Sequence, residues 1–176
     1  MPSFFSTMFF AFFALFPILN PPAMAPIFLE MTSSVSDRDR YHLAGLIGKY
    51  TFLMLLVVLL VGGWLLKIFG ISIPVIRIAG GLLLFNTAWL MLNGAPRMSP
   101  SEQDELKNHM DAHAFFPLTL PVTAGPGSIA VTLTLVPTGS LFSVEMWGKV
   151  AATAAGIGLA AFSVFIFYRY ADMFIK

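Results

Sequence analysis

Long uncharged apolar runs alternate with short polar breaks along this chain, and the alternation predicts its elements. Residues 1–29 carry no charge, and neither do 50–66, 78–96, 114–144 and 150–168. A membrane-crossing helix needs about 20 apolar residues. The runs therefore predict five spans, at about 4–29, 43–66, 71–93, 115–137 and 148–168. The fold class expected is all-α, a polytopic transmembrane helix bundle. The first run reads as a span and not as a signal peptide. No Lys or Arg precedes it, and it continues through Pro17-Ile18-Leu19-Asn20-Pro21-Pro22 without a small-residue cleavage site.

Prolines divide two of these runs. Pro17, Pro21, Pro22 and Pro26 crowd the first, and Pro117, Pro121 and Pro126 the fourth. Shifting the sequence by 100 residues superposes Phe16-Pro17 on Phe116-Pro117, Pro21 on Pro121 and Pro26 on Pro126, with Ala14 on Ala114 and Thr32 on Thr132. Internal repeats of this kind occur in secondary transporters. Residues 1–93 then form a three-span half, 94–113 a polar linker and 114–176 a second half with two spans. A 3+3 repeat expects a sixth span at about 171–193, so the second half is incomplete or completed by a partner. Both proline clusters fall towards the same side of the bilayer, which a simple inverted repeat does not produce.

Proline removes a helix hydrogen bond, and in hydrocarbon the freed groups need protein or cavity water. The clusters thus predict broken first and fourth helices able to bind an ion or a polar solute. The candidate solute-binding set is Asn20, Pro21, Arg77, Thr123, Gly125, Pro126, Gly127 and Ser128. Pro126 is placed to start a new helix whose amides point at an anionic group. Arg77, six residues into the third span, has three readings: snorkelling to the interface, bonding broken-helix carbonyls, or meeting a substrate carboxylate. Thr119, Thr123 and Ser128 also fit interhelical bonding.

Charge sets the expected orientation. Arg38, Arg40, Arg97, Lys107, Arg169 and Lys176 fall on one side, Lys67 and Lys149 on the other. Cationic short loops stay cytoplasmic, so the N-terminus is expected outside and residue 176 inside. Trp64 and Trp147 fit the outer interface, and Tyr41, Trp89 and Tyr168 the inner one. Linker 94–113 mixes Glu102, Asp104, Glu105 and Asp111 with Arg97 and Lys107 and reads as a solvated cytoplasmic connection.

Composition narrows the chemistry further. The chain is 57% apolar and 11% charged, with mean hydropathy +0.82, net charge +1 and no cysteine. This excludes a disordered chain, a disulfide scaffold and a nucleic-acid binder needing a basic stripe. No acid lies inside a span, which argues against a carboxylate proton relay, and His42 and His113 read as interfacial. No nucleophile–base pair and no metal-ligand cluster emerges, so neither an enzyme nor a cofactor or metal is expected. Ala152, Gly156 and Ala160 recur every four residues within 151–161. That small-residue face belongs inside the bundle or at a homo-oligomer interface.

Leu15-Phe16-Pro17-Ile18-Leu19-Asn20-Pro21, Phe69-Gly70-Ile71-Ser72-Ile73-Pro74 with Arg77-Ile78-Ala79-Gly80-Gly81, and Pro117 through Gly127 together resemble the MarC family of bacterial inner-membrane proteins. The resemblance runs through all five spans in order. It implies a six-span, transporter-like protein, with neutral amino acids as the solute class, and places Asn20-Pro21, Arg77 and Gly125-Pro126-Gly127 in family motifs. The chain departs from that pattern by ending before a sixth span. The expectation is a multi-pass transporter of small polar solutes such as neutral amino acids, with the lipid bilayer and the solute as partners. A non-transporting scaffold or regulatory subunit is the alternative.

Overall fold

A computed structural model describes residues 3–33, 35–93, 110–137 and 143–174. Among them the chain is helical, with no strand. In order come α1 (Phe4–Leu19), α2 (Pro21–Met31), α3 (Asp37–Ile68), α4 (Ile73–Asn93), a one-turn α5 (Met110–His113), a wide-turned π segment (Ala114–Thr123), α6 (Pro126–Thr134), α7 (Val144–Arg169) and a one-turn α8 (Ala171–Phe174). Three helices, α3, α4 and α7, are long and apolar enough to cross a membrane. Counting α1–α2 and the π segment–α6 as one bent crossing each brings the number to five. The expected polytopic helical bundle is what forms, and its first and fourth crossings are the bent ones. Most of the expected linker, residues 94–109, lies outside the described residues.

Local chemistry starts the helices where polar residues allow. Ser36 accepts the Asp39 amide at 3.2 Å and donates its hydroxyl to the Asp39 carboxylate at 2.7 Å, closing a reciprocal cap at the head of α3. Ser143 caps α7 by accepting the Met146 amide. At 32 residues, α3 is about 48 Å long and outruns the roughly 30 Å hydrocarbon core. Its polar first turns therefore stand in the interface.

The centre of the bundle is the α1–α7–α3 contact. Gly156 lets α1 approach so closely that an added Cβ would strike the Met8 carbonyl and the Ala11 methyl. Ala152, Gly156 and Ala160 are buried there, so the small-residue face predicted from the sequence is filled by α1 of the same chain. Leu15, Leu19, Phe28, Leu43, Ile47, Leu118, Ile157 and Val164 complete the core. Phe5, Phe10, Phe13, Val57, Leu82 and Phe85 are exposed, as expected of residues turned to lipid. Helix α4 stands at the edge and packs on α6, where Gly80 faces Ala130.

Two polar residues near the ends of the expected spans are buried against protein. Arg40 is only 7% exposed. Its guanidinium donates to the Thr32 hydroxyl at 3.2 Å, the Thr32 carbonyl at 3.3 Å and Asp37 at 2.9 Å, and lies 3.5 Å from Asp172. It ties the end of α2 to the heads of α3 and α8. Tyr168 is 1% exposed and stacks on Phe28, with ring centroids 4.5 Å apart.

Candidate functional site

Both breaks form where a proline constrains the residue before it. Asn20 leaves the helix in the left-handed region, at φ 43°, and α2 restarts at Pro21 with a 43° bend. Asparagine tolerates this conformation better than other side-chain-bearing residues. In the second proline cluster Leu120, one hundred residues after Asn20, is extended at φ −115°, ψ 118°, as is Phe116 before Pro117. The peptide bonds before Pro117 and Pro121 are cis. The bend there, 67°, comes at Ala124-Gly125, and Pro126 opens α6. Gly125 is required at this corner. A Cβ would lie 2.9 Å from the Pro121 carbonyl oxygen, a backbone atom with no freedom to yield.

Threonines absorb part of what the prolines release. Thr119 donates to the Ala114 carbonyl at 2.6 Å and Thr123 to that of Leu118 at 2.7 Å, while the Ala124 amide returns to Thr119. Because the Thr123 hydroxyl proton is committed to Leu118, the Tyr168 hydroxyl donates to Thr123, at 2.8 Å. Ser128 donates to the Gly125 carbonyl at 2.8 Å, and Thr132 to that of Ser128. Thr32 bonds the Phe28 carbonyl in the same i−4 manner as Thr132 bonds that of Ser128.

A cavity of about 500 Å³ opens between the two breaks. The first break contributes Pro17 to Asn20 and Met24, the second Pro121 to Thr123 and Gly125 to Ser128, and α4 adds Leu84, Ala88 and Leu90. The two prolines at 21 and 22 bring no N–H to the carbonyls of Pro17 and Ile18. The next amides turn elsewhere, Asn20 to Phe16 and Ala23 to Asn20. Among the described residues no donor meets those two carbonyls. On the facing wall the Gly125 and Gly127 amides likewise find no acceptor among the described residues, while Ser128 and Ile129 amides both turn back to the Gly125 carbonyl. The cavity thus sets acceptors of one broken helix against donors at the start of the other.

Six of the eight residues predicted from the sequence line this cavity: Asn20, Thr123, Gly125, Pro126, Gly127 and Ser128. Pro21 is buried just behind it. Arg77 is not in this group. It is exposed on α4. Tyr168 is the site-supporting residue that sequence reasoning missed, holding Thr123 from α7 while stacking on α2 through Phe28. No group of three or more His, Cys, Asp or Glu gathers among the described residues.

Tyr168→Phe is expected to lower stability by about 0.5–1.5 kcal/mol, the net worth of a hydrogen bond, while keeping the ring stack. A thermal melt in detergent, reduced by about 2–4 °C per kcal/mol, checks it. An unchanged melt would mean the hydroxyl contact contributes nothing.

Residues 5–176 match the family described as MarC family integral membrane protein. The chain is 32% identical over 168 residues to a UPF0056 membrane protein of Aquifex aeolicus, covering 94% of this chain and 76% of that one. It is 31% identical over 170 residues to the UPF0056 membrane protein YvbG of Bacillus subtilis, covering 94% and 78%. A UPF0056 membrane protein of Archaeoglobus fulgidus is 37% identical over 131 residues, 74% of this chain and 62% of the relative's length. No solved structure matches the chain.

Proposed function

From the premise that the chain belongs to the MarC family and is a multi-pass membrane protein, we propose that it transports small zwitterionic solutes of the neutral amino acid class. One observation carries the reading: the cavity between the two breaks confronts unpaired carbonyls at Pro17 and Ile18 with unpaired amides at Gly125 and Gly127. A solute ammonium finds acceptors on one wall. Its carboxylate finds donors and the positive end of α6 on the other. Neutral walls from Leu84, Ala88 and Met24 suit a small side chain and offer nothing to a charged one. The cation asymmetry of the sequence supports an orientation with the N-terminus outside, and this site then lies nearer the cytoplasm.

Labelled alanine, glycine and serine uptake into proteoliposomes, with and without an imposed sodium or proton gradient, tests the reading. Saturable uptake of these solutes, competed by one another and not by glutamate or lysine, is the expected result. Folded protein without uptake under either gradient would overturn it and favour a non-transporting scaffold.

A further inference from the structure

A second cavity, of about 390 Å³, lies at the other end of α6. Its mostly apolar lining includes Phe10, Ala11 and Leu135, among which stand Ser6, Thr7, Thr134, Thr153 and Lys149. The same two elements border both cavities. Helix α1 passes from Ser6 and Thr7 at the second to Ile18 and Asn20 at the first, and α6 runs the opposite way, from Gly127 to Thr134. On α1 the second cavity reaches Ala11 and the first begins at Pro17, six residues or about 9 Å of helix further on. Leu15 lies in that gap and is fully buried.

The chemistry of the second cavity mirrors that of the first with its ends exchanged. Here α6 presents its carbonyl end, which favours a cation. Pro137 brings no N–H back to the Leu133 carbonyl, although Thr134 donates to Val131 at 2.8 Å. Lys149 supplies the opposite charge. Its ammonium is 2.8 Å from Glu145, both groups are substantially exposed, and such a pair belongs at a water boundary. An exposed i,i+4 ion pair is weak, so an arriving carboxylate competes for the ammonium.

We propose that this cavity is a second solute site, the vestibule on the opposite membrane face for the same carboxylate- and ammonium-bearing solutes. In this arrangement α6 and α1 form the barrier between two halves of one pathway. The proposal rests on the transport reading above.

The chain contains no cysteine, so single introduced cysteines report accessibility without background. Thr7→Cys marks the second cavity and Val122→Cys the first, each in the full chain in right-side-out and inverted membrane vesicles. A membrane-impermeant maleimide is expected to label the two positions from opposite faces. Saturating L-alanine is expected to slow labelling severalfold at both. Adding Lys149→Gln or, should that variant fail to fold, Thr134→Val to Thr7→Cys is expected to remove the protection at Thr7→Cys alone. Labelling of both positions from one face would overturn the proposal. Alanine protection at Val122→Cys without any at Thr7→Cys would overturn it while leaving the first site standing. Protection at neither position would overturn both.

Discussion

Gly156→Val is expected to prevent assembly of the bundle. The new Cβ would meet the Met8 carbonyl oxygen and the Ala11 Cβ, and both belong to α1. One is backbone and the other a methyl fixed to backbone, so neither can swing aside as the end of a long side chain would. Relief requires α1 and α7 to separate, which opens the contact that buries Ala152, Ala160, Leu15 and Ile157. A cost of about 3 kcal/mol or more follows, the upper range of overpacking and a large share of ordinary domain stability. Gly158→Ala, on the opposite face of α7, is the control. Its Cβ would lie 3.6 Å from the Phe52 ring, an ordinary contact, and its effect should stay within about 0.5 kcal/mol. Yield of monodisperse protein and its melting temperature read the difference. Equal yields and melts for the two variants would show that the α1–α7 approach is looser than described.

The second large effect is expected at Asn20, where two substitutions separate backbone from side chain. At φ 43° a β-branched residue is disfavoured by about 1–2 kcal/mol, and Asn20→Val should straighten or shift the break that forms one wall of the cavity. Uptake should then be lost. Asn20→Gly keeps the left-handed turn and removes only the carboxamide, which is exposed at the cavity and makes no bond to its own helix cap. That variant should fold and melt like the parent, with apparent solute affinity about tenfold weaker, equivalent to about 1.4 kcal/mol. If Asn20→Gly transports like the parent, Asn20 acts only through its backbone. If Asn20→Val also does, the break itself is dispensable.

The spans and the breaks were legible because hydrocarbon leaves little choice. A run such as 150–168 without charge has few soluble alternatives, and clustered prolines at 17, 21, 22 and 26 must interrupt a ladder of hydrogen bonds. The meeting of the two breaks was legible only through the repeat, since matched prolines recurring at one offset predict matched corners. The exact corner was not. Pro17 sits inside α1, whereas its counterpart Pro117 follows an extended residue, so the same dipeptide took two conformations under different packing.

The surroundings of three residues were not legible. Composition describes Arg40, Tyr168 and Arg77 by average behaviour, while burial depends on which neighbours the bundle brings. Arg40 reads as a loop cation until Thr32, Asp37 and Asp172 converge on it. Tyr168 reads as an interface aromatic until Phe28 covers its ring and Thr123 takes its hydroxyl. Arg77 keeps three readings in the sequence because it is charged within a span, and α4 leaves it exposed and outside the cavity lining.

The Arg40 cluster also braces the first crossing at the end away from its joint. Helix α2 is clamped there through Thr32 and pressed from the side by Tyr168 on Phe28, while α1 is held against α7 at Gly156. The left-handed joint at Asn20 therefore sits between two anchored arms, so the wall it gives the cavity is a strut fixed at both ends and not a hinged flap.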